Sequence, residues 1–101
     1  MIRLLIVDQV RARPGAAATA LAQQHDVELV GIVHSVEEAL AALRRCDMML
    51  ISATLPSGGA LELVKAVVNL DPWVRVLVTN LAESQEASAC YIEAGASGWV
   101  M

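Results

Sequence analysis

Apolar side chains recur in five short runs along the chain, and polar or turn-forming residues separate these runs. The runs are Leu4–Val7, Val27–Val33, Met48–Ile51, Val74–Val78 and the final segment Gly98–Met101. Short runs that are continuously apolar or rich in β-branched residues are typical of strands buried on both faces of a parallel sheet. The pattern therefore predicts five strands.

The segments between these runs carry helical signals. Ser35 followed by Glu38 has the spacing of a capping box, which predicts a helix to about Arg45. Pro14 suits the first turn of a helix that runs to about His25. Two further helices are predicted over Ala60–Leu70 and over Glu83–Ala94, the latter closed by Gly95. Strands and helices thus alternate, which predicts a single α/β domain over residues 1–101 with helices on both faces of its sheet.

The chain ends inside its fifth predicted strand. Because a parallel sheet is normally covered on both faces, we expect a final helix to follow Met101. The sequence is then the front part of a longer protein.

Composition and charge narrow the class of protein. Hydrophobic residues make up 56% of the 101 residues and charged residues 18%, which is enough for an aliphatic core. The net charge of −4 disfavours direct binding of nucleic acid. Cys46 and Cys90 lack the spacing of a zinc site. No apolar run approaches the length of a membrane span, and the amino terminus is too short for a signal peptide, so we expect a cytoplasmic protein.

Polar residues stand where several predicted strands end. In a doubly wound parallel sheet, ligands bind at the carboxyl ends of the strands. The residues at those ends are Asp8, Gln9, His34, Ser52, Thr79 and Asn80. We expect the functional site among them.

Several segments, in the same order, resemble response-regulator receiver domains of the LuxR-type (NarL-like) subgroup. They are Ile2–Asp8, Asp26–Gly31, Leu50–Pro56, Val76–Thr79 and Ala94–Trp99. The resemblance covers almost the whole chain. It implies a flavodoxin-like (CheY-like) doubly wound sheet of five parallel strands in the order 2-1-3-4-5, with the last helix missing from this chain.

The chain departs from this family at the phosphate-accepting site. The family's acceptor aspartate lies four residues before a proline, and Ser52 has that position relative to Pro56. The family's first strand ends in two adjacent acids, which are here Asp8 and the neutral Gln9. Because Mg²⁺ requires several oxygen ligands, we expect no metal site, or at most weak binding at Asp8.

Serine is a weak nucleophile unless a base activates it. We therefore expect Ser52 to be a small polar residue that is hydrogen-bonded within its loop, and we predict no catalytic residue, no enzymatic activity and no cofactor. In the resemblance, Thr79 and Trp99 are the switch threonine and the switch aromatic. The alternative is that Thr79 only ends a strand and Trp99 packs on the fourth helix.

The sequence thus predicts a degenerate receiver that regulates without phosphorylation. It would form a homodimer through the face of the fourth helix and fifth strand, and a partner protein or small ligand would supply its input. The resemblance implies that DNA is bound only through a helix-turn-helix domain after Met101, as part of transcription control. The residues expected on the dimer face are Ala87, Tyr91, Trp99 and Val100.

Two alternatives compete with this prediction. A flavodoxin-like domain that binds a small ligand or cofactor would need a Gly- or Ser-rich phosphate loop after the first strand, and residues 8–13 do not provide one. A phosphorylated receiver could use Asp47 instead, but Asp47 precedes its strand and so lies at the wrong end of the sheet.

Overall fold

A five-stranded parallel sheet organises the protein. The computed structural model describes residues 1–8, 20–21, 23–55, 59–79 and 90–100. Its strands are β1 (Ile2–Val7), β2 (Val27–Val33), β3 (Met48–Ser52), β4 (Arg75–Thr79) and β5 (Gly98–Val100). They lie in the order β2-β1-β3-β4-β5, and every neighbouring pair is parallel. The predicted α/β fold and this strand order are confirmed.

Two helices cover one face of the sheet. They are α1 (Val36–Ala41) and α2 (Gly59–Leu70), and residues 20–21 and 90–93 are also helical. Ser35 caps α1, because its Oγ accepts a hydrogen bond from the Glu38 N–H at 3.1 Å. The capping prediction is confirmed. The predicted end of α2 at Leu70, just before Asp71 and Pro72, is also confirmed.

The prediction of one helix that runs to about Arg45 is wrong beyond Ala41. The α-helix ends at Ala41 and a 3₁₀ turn, Leu43–Arg45, follows. Leu43 and Cys46 are both buried, and the Cys46 Sγ donates to the Leu43 carbonyl at 3.4 Å. The tighter turn brings both side chains into the core before β3 begins, and burial raises the pKa of the Cys46 thiol.

The helix predicted to reach about His25 also ends early. The N–H groups of Gln23 and Gln24 bond three residues back, to Ala20 and Leu21, and residues 23–26 form turns. The chain then enters β2, and the Asp26 carbonyl accepts from the Ile2 N–H at 2.7 Å. Sheet pairing therefore ends the helical turn. The predicted helix start at Pro14 lies outside the described residues.

The core forms two layers because successive strand residues point to opposite faces. Leu5 and Val7 join the larger cluster, to which α2 contributes Leu63, Val64 and Val67. Leu4 and Ile6 belong to a smaller cluster on the other face, where Leu21 packs. β1 is therefore buried on both sides, as its continuous apolar run predicted.

An ion pair fastens the amino-terminal edge of the sheet. The Arg3 guanidinium donates to both carboxylate oxygens of Asp47, at 3.0 and 3.2 Å, and the Arg3 backbone N–H donates to the same carboxylate at 2.9 Å. These bonds hold the pKa of Asp47 down at about 2. Asp47 thus lies at the edge opposite the predicted site, which supports its exclusion as a phosphoacceptor.

Among the described residues, no helix is both long enough and apolar enough to cross a bilayer.

Candidate functional site

Three polar residues are buried at the carboxyl ends of three adjacent strands. Ser52 is fully buried, Asp8 is 4% exposed and Thr79 is 6% exposed. Ser52 is the register partner of Thr79. Because Val7 pairs with Ile51, Asp8 follows β1 beside the position of Ser52. The sheet therefore brings these three predicted site residues to one edge.

The Ser52 hydroxyl is engaged in a tight local turn. Its Oγ lies 2.6 Å from the Thr54 Oγ1 and accepts a hydrogen bond from the Thr54 N–H at 3.2 Å. The Leu55 N–H bonds to the Ser52 carbonyl at 3.3 Å, and the Ala53 N–H bonds to the Thr79 carbonyl at 2.8 Å. A serine that binds the backbone two residues ahead is a common way to stabilise a turn. The hydroxyl thus orders the loop that leaves β3.

The backbone of Asp8 is tied to the end of β2. Its N–H donates to the Val33 carbonyl at 3.0 Å, and its own carbonyl lies 3.2 Å from the His34 Nδ1. Because a carbonyl can only accept, Nδ1 must carry the proton, which leaves Nε2 as the acceptor of the neutral ring.

The sequence predicts His34 at this edge of the sheet but not its hydrogen bond to Asp8. The contact follows from the register, since Val7 pairs with Val33 and Asp8 and His34 come next in their strands. Predicting this hydrogen bond requires the register of β1 against β2, which the apolar pattern of each strand does not define.

Several predicted residues lie wholly or partly outside the described residues. Gln9, Asn80 and Ala87 are not described, and the backbone of Trp99 pairs with Val78 in β5 without a description of its side chain. Tyr91 is half-buried, and burial raises the pKa of its phenol. The switch role of Trp99 and the dimer face stay predictions.

The resemblance to receiver domains implies a Mg²⁺ site at this edge of the sheet. Mg²⁺ binds through near-octahedral oxygen ligands and retains several waters. Asp8 supplies one carboxylate, whereas the hydroxyl of Ser52 already bonds to Thr54. Across the described part of the chain, no three His, Cys, Asp or Glu side chains are grouped so as to hold a metal ion. This donor set does not fit a receiver magnesium site.

Solved structures of other proteins share this fold. A two-component response regulator of the LuxR family from Aurantimonas sp. SI85-9A1 superimposes with a TM-score of 0.85 at 22% identity, over 97% of this chain and 71% of that one. A CheY-like response regulator receiver domain protein from Methanospirillum hungatei JF-1 superimposes with a TM-score of 0.71 at 25% identity, over 100% of this chain and 81% of that one. The chain therefore has the α/β CheY-like fold that these response-regulator structures share.

Curated proteins are also similar to this chain in sequence. The DNA-binding transcriptional activator DevR/DosR of Mycobacterium tuberculosis is 30% identical over 103 residues, which cover 100% of this chain and 48% of that protein. A protein-glutamate methylesterase/protein-glutamine glutaminase of Agrobacterium fabrum is 27% identical over 99 residues, 95% of this chain and 28% of that protein. No protein-family model matches the sequence. The chain spans about half the length of DevR/DosR and less of the methylesterase.

Proposed function

We propose that this receiver domain regulates without accepting a phosphoryl group. One observation carries the proposal. The residue that ends β3, where the resemblance expects the acceptor aspartate, is a fully buried serine whose hydroxyl bonds to Thr54 at 2.6 Å. An acyl phosphate requires a carboxylate nucleophile, and Ser52 has none to offer.

The surrounding groups support this view. A serine becomes a nucleophile when an adjacent base removes its proton, and the described hydrogen bonds of the Ser52 hydroxyl are to the side chain and the N–H of Thr54. Asp8 is then left as the acid of the pocket, with Gln9 and Thr79 as its expected neutral neighbours. Such a pocket has neither the metal ligands nor the nucleophile of phosphoryl transfer.

Output would pass through parts of the protein beyond this domain. Since the relative DevR/DosR is a DNA-binding transcriptional activator, we propose that this domain controls transcription through a DNA-binding domain that follows it. The net charge of −4 disfavours contact between this domain itself and DNA. Homodimer formation through the fourth predicted helix (Glu83–Ala94) and β5 would transmit the signal.

Incubation with acetyl phosphate and Mg²⁺ tests the proposal. We expect intact-protein mass spectrometry to show no added phosphoryl group, because no carboxylate is placed to attack the donor. The Gln9→Asp/Ser52→Asp double variant, which restores both missing carboxylates, is the positive control and should gain a hydroxylamine-sensitive phosphoryl group. A stable phosphoryl group on the unmodified protein would refute the proposal.

A further inference from the structure

The first turns of α1 and α2 enclose a cleft of about 260 Å³ beside the buried polar site. Its apolar lining residues are Val36, Leu55 and Gly59. The two helix starts approach closely there, since a Cβ placed on Gly59 would lie 3.5 Å from a Val36 methyl carbon and 3.7 Å from the Leu55 Cβ. Part of the cleft lining is therefore apolar.

Two carboxylates line this cleft. They belong to Glu37 and Glu62, which line it together with the imidazole of His34, and none of the described lining residues is a Lys or Arg. Both carboxylates are exposed. Within the described residues the only ion pair joins Arg3 to Asp47, so neither glutamate is neutralised by a described cation.

Size and charge together indicate the occupant. Drug-sized ligands need cavities of roughly 300–1,000 Å³, and this cleft is smaller and open to solvent. A long basic side chain fits it better, because its methylene stem can cover apolar surface while its charged head meets carboxylates. We propose that the cleft receives an arginine or lysine side chain from a partner protein, held between Glu37 and Glu62.

The cleft is connected to the receiver site by short bonds. His34 and Leu55 both line the cleft. The His34 Nδ1 bonds to the Asp8 carbonyl, and the Leu55 N–H bonds to the Ser52 carbonyl. A partner seated here would contact the two loops that hold Asp8 and Ser52. The inference rests on the proposed function in this respect, since it supplies an input that needs no phosphoryl group.

Titration of the ¹⁵N-labelled protein with a short alanine peptide containing one arginine tests the inference. We expect the amide signals of Val36, Leu55 and Gly59 to shift, and no shift with a peptide that has glutamine in place of arginine. In the Glu37→Gln/Glu62→Gln variant, Kd should rise by about tenfold, because charge-assisted contacts are lost. The Glu28→Gln/Glu38→Gln variant changes the net charge equally but leaves the lining of the cleft intact, so its Kd should stay within about twofold.

Other outcomes would overturn the inference. Equal weakening in the two variants would mean that only net charge attracts the peptide, and butylamine binding as tightly as the peptide would assign the cleft to small amines. The acids also stabilise the first turns of their helices, so a loss of stability with unchanged peptide binding would leave them a purely structural role. No phosphoryl donor is present in this experiment, so its failure is separate from failure of the proposed function.

Discussion

The hydroxyl of Ser52 takes a place where a carboxylate would be costly without a metal ion. Ser52 is fully buried and Asp8 follows the adjacent strand, so two acids at this edge would bring like charges close together. The serine avoids that repulsion and bonds to Thr54 instead. At the residue scale, a serine at this position avoids the repulsion between two acids at one buried edge of the sheet.

The Ser52→Asp variant should therefore fold less stably at neutral pH. We expect its free energy of unfolding near pH 7 to fall by about 1–3 kcal/mol, because a buried charge is added beside Asp8. Burial would raise the pKa of the introduced carboxyl above its unfolded value of about 3.9, so the loss should shrink towards pH 4 and vanish below it, where the carboxyl is protonated in both states. Urea unfolding at both values measures the difference. Ser52→Ala is the control, and its smaller loss should not depend on pH.

The Arg3–Asp47 pair gives a second pH-dependent prediction. Its carboxyl has a folded pKa of about 2 against an ordinary value of 3.8. A depressed pKa stabilises the folded state above the unfolded value, and this contribution is lost as the pH falls from about 4 to about 2. Both side chains are exposed, so the effect should be modest and weaker in high salt.

The Asp47→Asn variant should lack the part of the unfolding free energy that the unmodified protein loses as the pH falls from about 4 to about 2. Chemical unfolding of both proteins at several pH values below 5 would show the curves converging as the pH approaches 2. An unchanged gap between the two proteins across that range would contradict the assigned role of the ion pair.

At the element scale, the last helix ends in a defined cap. The Ala96 N–H bonds to the Tyr91 carbonyl and the Gly95 N–H bonds to the Ile92 carbonyl, each at 3.0 Å, which is a Schellman motif. Gly95 has φ of +108°, a conformation that L side chains rarely adopt. The predicted C-terminal role of Gly95 is confirmed, and the cap directs the chain into β5.

Substituting Gly95 should expose this constraint. An added Cβ would lie 2.9 Å from both γ-carbons of Val68, so Gly95→Ala should lower the free energy of unfolding by about 1–3 kcal/mol. The Val68→Ala/Gly95→Ala double variant removes the clash but keeps the backbone strain. It should therefore lose less unfolding free energy than the sum of the losses in the two single variants. Strictly additive losses, measured by urea unfolding, would mean that the clash contributes nothing.

The elements show which features a sequence can predict. Strand positions followed from apolar runs such as Leu4–Val7, because burial on both faces leaves no polar position. The end of α1 was mispredicted because the core position of Leu43 and Cys46 decides it, and that is a tertiary effect. The sequence predicted His34 at this edge but not its hydrogen bond to the Asp8 carbonyl, because the register of β1 against β2 determines that contact.

At the scale of the whole molecule, the proposed mode of action is assembly without phosphorylation. A homodimer through the fourth predicted helix (Glu83–Ala94) and β5 should then form to the same extent with and without acetyl phosphate and Mg²⁺. Sedimentation equilibrium of the protein, compared with the Gln9→Asp/Ser52→Asp variant, measures this directly. Only the variant should show a dimer fraction that depends on the phosphoryl donor. A donor-dependent dimer of the unmodified protein would contradict this mode of action.

The order β2-β1-β3-β4-β5 also governs how the molecule comes to be folded. β1 is made first, yet both of its neighbours, β2 and β3, come from later parts of the chain. Closing those segments costs entropy before any pairing is gained, which places such sheets among the slower small domains. Refolding followed by stopped-flow fluorescence should therefore take milliseconds or longer, and microsecond refolding would contradict this view. Until β3 arrives, the apolar strand Ile2–Val7 is unprotected and prone to aggregate, so slow synthesis of the segment that follows it would lengthen the period of greatest risk.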